Sequence, residues 1–321
     1  MTAVPTFRDV KEAAARIEGM VHRTPVMTCS SLNDRVGAQV FCKCENFQKA
    51  GAFKFRGASN AVLSLSDSEA RRGVATHSSG NHGAALALAA HIRGVPARIV
   101  MPSNAPQSKR AAVAAYGGAI VYCEPTQEAR EATLETVVRE TGAVFVHPYN
   151  NNKVIAGQGT AALELCAEVP RLDVILAPVG GGGMISGTAL TVAACSAGTR
   201  VVAAEPEAAD DAYRSLQAGT ILSANNPDTV ADGLRTSLGE LTFAIIRSHV
   251  AQIVTVSEDA IVAAMQYVWE RMKIVIEPSS AVPIAALLDG GLDLAGQRVG
   301  VILTGGNVDL LRLPWLPSPS Q

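Results

Sequence analysis

A lysine between two aromatic residues, Phe53-Lys54-Phe55, is the feature of the sequence best suited to covalent chemistry. Neighbouring rings that exclude water from a lysine amine lower its pKa, and more of the amine is then neutral and nucleophilic. Lysines are mostly exposed in folded proteins, so an ordinary surface lysine at a helix start is the competing interpretation. A reactive Lys54 requires that other segments supply a ligand for it.

The segment 78–83 (Ser-Ser-Gly-Asn-His-Gly) lies between a predicted strand, 73–79, and a predicted helix, 81–93. Ligands of open α/β sheets bind at the carboxyl ends of the strands, and the free N–H groups at a helix start attract anions. The segment therefore predicts a site for a carboxylate. A helix whose N-cap is Ser79 or Asn81 would show the same pattern without any ligand.

Four consecutive glycines, Gly180, Gly181, Gly182 and Gly183, separate a predicted strand, 174–179, from a predicted helix. Such a loop lets successive backbone N–H groups converge on one anion, and without side chains it admits a phosphate closely. A flexible turn is the alternative, but it does not explain why four glycines stand where a helix dipole points. The loop predicts a phosphate site.

The same loop also indicates a second class of enzyme. Gly181 and Gly183 nearly complete a dinucleotide-binding fingerprint, with Ser186 in place of the third glycine, and Glu205 ends the next predicted strand where a ribose-binding acid would lie. A Rossmann-type NAD(P) oxidoreductase is therefore the alternative. It is the weaker hypothesis, because it gives Lys54 and the carboxylate segment no role.

Thr304 follows the last predicted strand, 299–303, and precedes Gly305 and Gly306. Its hydroxyl is a neutral hydrogen-bond partner, so beside a pyridine nitrogen it would not force protonation of the ring as a carboxylate would. An ordinary turn would have the same composition. The position predicts a partner for a ring only in combination with the other motifs.

Composition restricts the class of protein. The 321 residues are 48% hydrophobic, which indicates a globular chain with a large core. The formal net charge is −2, and runs of basic residues are absent, so neither nucleic acid nor an anionic membrane is an expected partner. The N-terminus has no signal-peptide pattern, and the six cysteines lack metal-type spacing. We expect a cytoplasmic protein with reduced cysteines.

Predicted strands and helices alternate along most of the chain. Short β-branched strands followed by amphipathic helices are typical of parallel sheets with right-handed crossovers. One run covers 73–147 and a second follows after 157. A stretch rich in Pro, Asp and Asn, 206–232, interrupts the second run, and no strand or helix is assigned to it. The fold class is therefore α/β, with two doubly wound domains.

The chain resembles the serine racemase and serine/threonine dehydratase family, which consists of pyridoxal-phosphate enzymes of the tryptophan-synthase-β fold. The resemblance covers about residues 6–311 and rests on segments 45–57, 76–83, 116–125, 156–160, 180–184, 203–206, 269–272, 276–278 and 305–309. It implies a large cofactor-binding domain (1–65 and 147–315), a small mobile domain (73–146) and a disordered tail (316–321).

The resemblance also implies the roles of individual residues. Lys54 would bind the cofactor covalently, Phe53 would pack beside the ring, and Phe55 is expected in the core. Ser79 would be a second acid or base on the ring face opposite Lys54. The remaining implied contacts are Asn81 with the 3-hydroxyl of the ring, Gly180, Gly181, Gly182, Gly183 and Met184 with the phosphate, Thr304 with the ring nitrogen, and Ser78, Ser79, Gly80, Asn81 and His82 with the substrate.

Two further ligands follow from the resemblance. Glu205, Asp211 and the carbonyl of Ala209 match a divalent-cation site, whose oxygen ligands suit Mg²⁺ or Ca²⁺; a solvated acidic loop is the alternative. Animal-type racemases bind ATP at a subunit interface. The matching residues are Ser30, Ser31, Lys49 and Lys109, but Ala50 replaces a hydroxyl residue, and this argues against ATP activation. A homodimer is implied as well.

The expected activity is racemisation of serine, or elimination of water and ammonia from serine or threonine, or both. There is no room for a regulatory domain after residue 315, so a short enzyme without feedback inhibition is expected. 3-Hydroxyaspartate is the alternative substrate. It would need an additional cation near its β-carbon, and Arg130 and Arg235 are the candidates.

Overall fold

The structure is a computed structural model, and it describes residues 4–224, 227–289 and 291–316. Within these ranges the strands are β1 (Val26–Met27), β2 (Gln39–Cys44), β3 (Val74–His77), β4 (Ala97–Pro102), β5 (Ala119–Cys123), β6 (Val144–Phe145), β7 (Val174–Pro178), β8 (Arg200–Pro206), β9 (Gln252–Val256) and β10 (Arg298–Leu303). The helices are α1 (Phe7–Ile17), α2 (Ser30–Val36), α3 (Lys54–Leu63), α4 (Asp67–Arg72), α5 (Asn81–Arg93), α6 (Gln107–Ala115), α7 (Gln127–Thr141), α8 (Asn152–Glu168), α9 (Gly183–Cys195), α10 (Asp211–Ala218), α11 (Glu240–His249), α12 (Glu258–Met272) and α13 (Pro278–Leu288).

The larger sheet has the strand order β1-β2-β10-β7-β8-β9. All its neighbouring strands are parallel except β1 and β2. Leu303 pairs with Cys44, and Pro178 pairs with Ala204, so the carboxyl ends of β2, β10, β7 and β8 lie along one edge. Lys54, Thr304 and the four glycines all follow these strands, and the fold therefore brings them to the same edge.

The smaller sheet has the order β5-β4-β3-β6, and all its strands are parallel. It is built from residues 74–145, while the larger sheet takes strands from both sides of that range in the chain. The carboxyl end of β3 leads into the segment 78–83 and then into α5. The predicted α/β class with largely parallel sheets is confirmed, and the exact domain boundaries stay a prediction. Of the predicted tail, 317–321 lies outside the described residues.

The core explains why parallel strands form. Every residue of β7 is buried, and α9 is buried from Gly183 to Val192. Elements that are apolar on all sides pack in the interior of α/β domains, with helices on both faces of the sheet. Cys42 and Cys44 are both fully buried on β2, as a buried-thiol interpretation expects.

A buried ion network holds the start of α3. The Arg56 guanidinium, 0% exposed, donates to Glu45 (Nε to Oε2, 2.7 Å) and to Glu164 (Nη1 to Oε1, 2.6 Å). Lys43, also 0% exposed, donates to Glu164 Oε2 at 2.7 Å. Because removal of one partner would leave a buried charge uncompensated, such a network fixes the orientation of α3, which begins at Lys54.

Several helices lie where the sequence predicts no element. The stretch 206–232 contains α10, whose first N–H groups at Ala212 and Tyr213 are capped by the carboxylate of Glu205. The cap comes from β8 rather than from the residue before the helix, so the local pattern does not reveal it. Helices α2, α4 and α11 lie in segments for which the sequence predicts no element.

None of the helices in the described ranges is both long enough and apolar enough to span a lipid bilayer.

Candidate active site

Lys54 is the first residue of α3, and its side chain is half-buried. Its Nζ donates to the carbonyl oxygen of Pro148 at 3.0 Å and lies 5.1 Å from the centroid of the Phe53 ring. Burial lowers the pKa of the Lys54 amine to about 8, against the opposing effect of the negative charge of Glu277. At pH 7 roughly a tenth of this amine is therefore neutral, against about 0.03% of an exposed lysine, and the neutral form is the one that attacks a carbonyl.

Thr304 is held directly beside the lysine segment. The N–H of Phe53 donates to the Thr304 carbonyl at 2.9 Å, and Ala52 forms an antiparallel bridge with Gly305. Phe55 is 0% exposed, which confirms its expected place in the core, although the segment is helical there rather than extended. The structure thus brings together the predicted ring contact, the reactive amine and the predicted partner of a ring nitrogen.

The four-glycine loop is open to an anion. Within the described chain, the N–H groups of residues 180–183 donate to no other group. Gly182 has φ 86°, and a Cβ at Gly181 would lie 2.4 Å from the Tyr149 ring, so the packing itself demands glycine. Since Tyr149 adjoins Pro148, whose carbonyl binds Lys54, the anion site neighbours the amine. This geometry fits a phosphate group.

Three helix starts meet at this loop. Helix α9 begins at Gly183, where a Cβ would lie 2.9 Å from Tyr149 Cβ, and α8 begins three residues after Tyr149, capped by Asn151. Asn150 Oδ1 accepts the N–H of Leu241 at the start of α11, 3.0 Å away. The N-terminal ends of three helices therefore add their partial positive charges at one place. The sequence gives no indication of this convergence.

The segment 78–83 has a different cap from the one predicted. Gly80 is the N-cap of α5, and neither Ser79 nor Asn81 caps the helix. Ser78 Oγ accepts the N–H of Gly80 at 3.3 Å. His82 is buried, and its Nε2 lies 3.1 Å from the Val146 carbonyl, so its side chain faces the interior. Only the backbone N–H of His82 is available to a carboxylate at the helix start.

A buried carboxylate, Glu277, contacts Asn81 across the site. Asn81 Nδ2 donates to both oxygens of Glu277, at 2.8 and 3.0 Å. Burial raises the pKa of Glu277 to about 7, although the hydrogen bond from Asn81 opposes this shift. In the sequence Glu277 stands out only as part of the motif 276–278, since nothing in the local pattern shows that it contacts α5.

Aromatic rings line the region between β3 and the glycine loop. The His147 ring lies 5.6 Å from Phe145 and 4.5 Å from Tyr149, between ring centroids. His147 Nδ1 accepts the N–H of Asn150 at 2.9 Å, and burial lowers the pKa of His147 to about 4. The ring is therefore neutral at physiological pH, and this wall of the site adds no positive charge.

The residues of the predicted cation site lie together beside α10. Glu205 and Asp211 are both 0% exposed, and Ala209 is buried between them in the chain. Burial raises the pKa of Glu205 to about 8 and that of Asp211 to about 7. From the described residues, neither Asp211 oxygen accepts a hydrogen bond of normal geometry, although the N–H of Leu238 faces it. Two mutually repelling buried carboxylates fit a bound cation.

No cluster of three or more His, Cys, Asp or Glu side chains is suited to a metal ion in the part of the chain that the structure describes. Any cation beside Glu205 and Asp211 would thus need backbone carbonyl or water ligands as well, as Mg²⁺ and Ca²⁺ commonly have.

The residues matched to an ATP site are only partly brought together. Lys109 and Ala50 line a cavity of about 870 Å³ between the smaller sheet and the C-terminal segment, and Lys109 forms an ion pair there with Asp232. Ser31 lies on α2, where it accepts a hydrogen bond from the Tyr267 hydroxyl at 3.1 Å. The absence of ATP activation stays a prediction.

The site combines a lysine of lowered pKa, Lys54, with a loop that fits a phosphate and with the neutral residue Thr304. This combination is typical of an enzyme that holds a phosphorylated carbonyl cofactor. The chain matches the family model "Pyridoxal-phosphate dependent enzyme" over residues 17–305, and it belongs to that family. It is 55% identical to the beta-hydroxyaspartate dehydratase of Paracoccus denitrificans, over 97% of this chain and 99% of the relative. It is 49% identical to the serine racemase of Oryza sativa subsp. indica, over 95% of this chain and 91% of the relative.

The solved structure of maize serine racemase superposes with a TM-score of 0.94 at 47% identity, covering 96% of this chain and 95% of that one. These findings confirm the family resemblance and the fold. The oxidoreductase alternative finds no support, because Glu205 is buried and binds the first N–H groups of α10 rather than facing a ribose site.

Proposed function

We propose that the chain binds pyridoxal phosphate at Lys54 and releases ammonia from, or racemises, a small 3-hydroxy amino acid. The half-buried Lys54 amine of lowered pKa, bound to the Pro148 carbonyl beside a loop of free N–H groups, is the observation that carries this proposal. When bound, the cofactor withdraws electrons from the substrate Cα and makes the Cα–H bond acidic.

In this proposal Lys54 takes the Cα proton, and the N–H groups at the start of α5 bind the substrate carboxylate. Departure of the β-hydroxyl as water leaves an enamine, which hydrolyses to an oxo acid and ammonia. Return of a proton from the other face, by the Ser79 hydroxyl, gives the enantiomer. Ser79 is half-buried and forms no hydrogen bond within the described chain, so its hydroxyl is free for this role.

The test is a steady-state assay of oxo acid and of chiral amino acid, with serine, threonine and both 3-hydroxyaspartate diastereomers as substrates. Release of ammonia or inversion of configuration, abolished by borohydride treatment, is the expected result. A protein that is active with NAD(P) and insensitive to borohydride would overturn the proposal.

A specific observation favours 3-hydroxyaspartate as the substrate. Burial lowers the pKa of His77 and raises that of Cys123, which end β3 and β5; the positive charge of Arg130, near the start of α7, adds to the first shift and opposes the second. In the described ranges Arg130 forms no ion pair, and its Nε is buried without a partner. The Arg130 guanidinium therefore lies near the strand ends with hydrogen-bond donors that no group in the described chain uses, and such a group suits the second carboxylate of 3-hydroxyaspartate. Arg235 is exposed, and its guanidinium donates to the Thr229 carbonyl.

Replacement of Arg130 by alanine is expected to lower kcat/KM for 3-hydroxyaspartate by about 10- to 100-fold, since a charged hydrogen bond to substrate is lost. The value for serine, which has no second carboxylate, should change less than about threefold. Arg235→Ala is the matched control and should affect neither substrate. Equal losses for both substrates in the Arg130 variant would show a structural role instead.

The proposal includes a divalent cation, Mg²⁺ or Ca²⁺, beside Glu205, Asp211 and the Ala209 carbonyl. Its support is the pair of buried carboxylates, one of which lacks normal hydrogen bonds from the described residues. A cation here would stabilise the start of α10 and the end of β8, next to the four-glycine loop that follows the neighbouring strand β7.

Addition of Mg²⁺ to chelator-treated protein is expected to raise its Tm by about 3–10 °C, because the cation compensates buried negative charge. Asp211→Asn should raise the Tm of the metal-free protein and remove most of the response to Mg²⁺, because it replaces an uncompensated buried charge by a neutral amide. Differential scanning calorimetry measures both effects. A full Mg²⁺ response in the variant would exclude this site.

We also infer a homodimer. Its support is the exposed apolar C-terminal segment, in which Leu310 and Leu311 are 62% and 82% exposed. Contiguous exposed apolar residues mark protein–protein contact sites more often than isolated ones do. Sedimentation velocity of the protein and of a variant with both leucines replaced by serine tests this inference.

A further inference from the structure

The carboxylate of Glu277 is the end of a chain of hydrogen bonds that crosses the site. Asn81 Nδ2 donates to it, and Asn81 Oδ1 accepts from Asn307 Nδ2 at 2.9 Å. Asn307 Nδ2 also donates to the carbonyl of Ala50 at 2.8 Å. These groups, which we call the Glu277 cluster, join the start of α5, the loop after β10 and the segment before Lys54.

The two ends of the cluster determine the direction of both amides. Above its pKa of about 7 the Glu277 carboxylate only accepts hydrogen bonds, so the amide nitrogen of Asn81 then faces Glu277 and its oxygen faces Asn307. A backbone carbonyl also only accepts, so the nitrogen of Asn307 is held towards Ala50. Rotation of the Asn81 amide by 180° would set its oxygen against the carboxylate and its N–H groups against those of Asn307.

The backbone around the cluster is built to allow this close approach. Ala50 has φ 58°, an uncommon conformation for a residue with a side chain. A Cβ at Gly51 would lie 2.3 Å from Asn307 Oδ1, and a Cβ at Gly305 would lie 2.6 Å from Glu277 Oε1. A strained backbone conformation is kept only where surrounding contacts hold it in place. Here those contacts are the hydrogen bonds of the cluster.

We propose that Glu277 is a positioning residue whose carboxylate fixes the amides of Asn81 and Asn307, and through them the segment before Lys54, in the arrangement that receives the cofactor ring. Glu277 itself is 4% exposed, and its N–H donates to the Gly305 carbonyl at 2.9 Å. The carboxylate is therefore anchored by its own backbone to the strand end that carries Thr304.

The charge of Glu277 gives the cluster a second, measurable effect. Its negative charge raises the pKa of Lys54, while the buried rings of His82 and His147 are neutral at the pH concerned. The charged groups that face Glu277 from the neighbouring elements are Asp232, which raises its pKa, and Lys109, which lowers it. Loss of the carboxylate should therefore lower the pKa of Lys54, while loss of Asn307 alone should not.

The experiment uses the apoenzyme of each full-length variant and measures two properties: the dissociation constant of pyridoxal phosphate, and the pH midpoint of its rate of covalent attachment to Lys54. Glu277→Gln is expected to weaken binding about tenfold or more and to lower the midpoint by about one pH unit. Asn307→Ala should weaken binding by about three- to tenfold at an unchanged midpoint. Glu277→Asp keeps the charge and should retain the midpoint.

Glu270→Gln, an exposed charge removal on α12, is the control and should change neither property. Unchanged cofactor affinity in both Glu277→Gln and Asn307→Ala would overturn the proposal, as would an equal midpoint shift in Glu270→Gln. If Glu277→Gln does not fold, Asn307→Ala alone decides. The proposal rests on the placement of the cofactor at Lys54, which is tested separately: loss of attachment in Lys54→Ala supports that placement whatever the Glu277 variants show.

Discussion

Replacement of Lys54 by alanine is expected to abolish covalent attachment of the cofactor and to lower oxo acid release by at least about a thousandfold. The effect is large because the proposed function gives the same amine two roles, as the attachment point of the cofactor and as the base at Cα. With a pKa of about 8 instead of the ordinary 10.5, roughly half of this amine is neutral at pH 8, against about 0.3% for an exposed lysine.

The sign of the pH dependence follows from this value. Only the neutral amine attacks a carbonyl, so attachment of pyridoxal phosphate to the apoenzyme should accelerate as the pH rises from about 6 and level off above about 8 to 9. Stopped-flow absorbance measures this rate. Lys49→Ala is the matched control, because Lys49 lies five residues earlier with its Nζ 6.0 Å from the centroid of the Phe55 ring. Borohydride-stable label in the Lys54 variant would place the cofactor on another lysine.

Replacement of Ser79 by alanine is expected to lower racemisation about a hundredfold or more and to change dehydration of the L-amino acid by less than about threefold. The two reactions share removal of the Cα proton by Lys54, but only racemisation needs a proton from the opposite face. Chiral chromatography of the amino acid, with coupled detection of the oxo acid in the same sample, measures both rates.

Ser78→Ala is the control for the Ser79 variant. Its hydroxyl accepts the N–H of Gly80, so its loss should disturb the carboxylate-binding segment and slow both reactions by similar factors. If the Ser79 variant also slowed both reactions equally, or slowed neither, Ser79 would have no role as an acid.

The predicted site residues that the structure brings to one edge of the larger sheet are those whose local pattern suggests the chemistry. Three short motifs show this: Lys54 between two aromatic residues, the four glycines at a strand end, and Thr304 before two glycines. Each follows a predicted strand, and strand ends in a parallel sheet meet at one edge, so the sequence predicts that the motifs lie close together. The parallel α/β architecture follows from the alternation of strands and helices in the same way.

Short sequence motifs do not predict the contact of Glu277 with α5 or the presence of helix α10. Glu277 meets Asn81 across 196 positions of sequence, and neither residue's neighbours indicate the other. Helix α10 depends on a cap from Glu205 in the preceding strand, so its composition alone reads as a loop. His82 differs in another way: its side chain is buried against Val146, so only its backbone N–H remains for the predicted contact with substrate.

The strand order of the larger sheet also determines when the proposed site around Lys54 can form. Strand β2, which leads to Lys54, pairs with β10, and its register runs from Gln39 with Arg298 to Cys44 with Leu303. During synthesis β2 leaves the ribosome early and must wait for nearly the whole chain before its partner exists. Contacts of such long sequence separation form slowly. A nascent chain should therefore become able to bind the cofactor only late in its synthesis. A truncated chain that lacks β10 would leave the edge of β2 exposed.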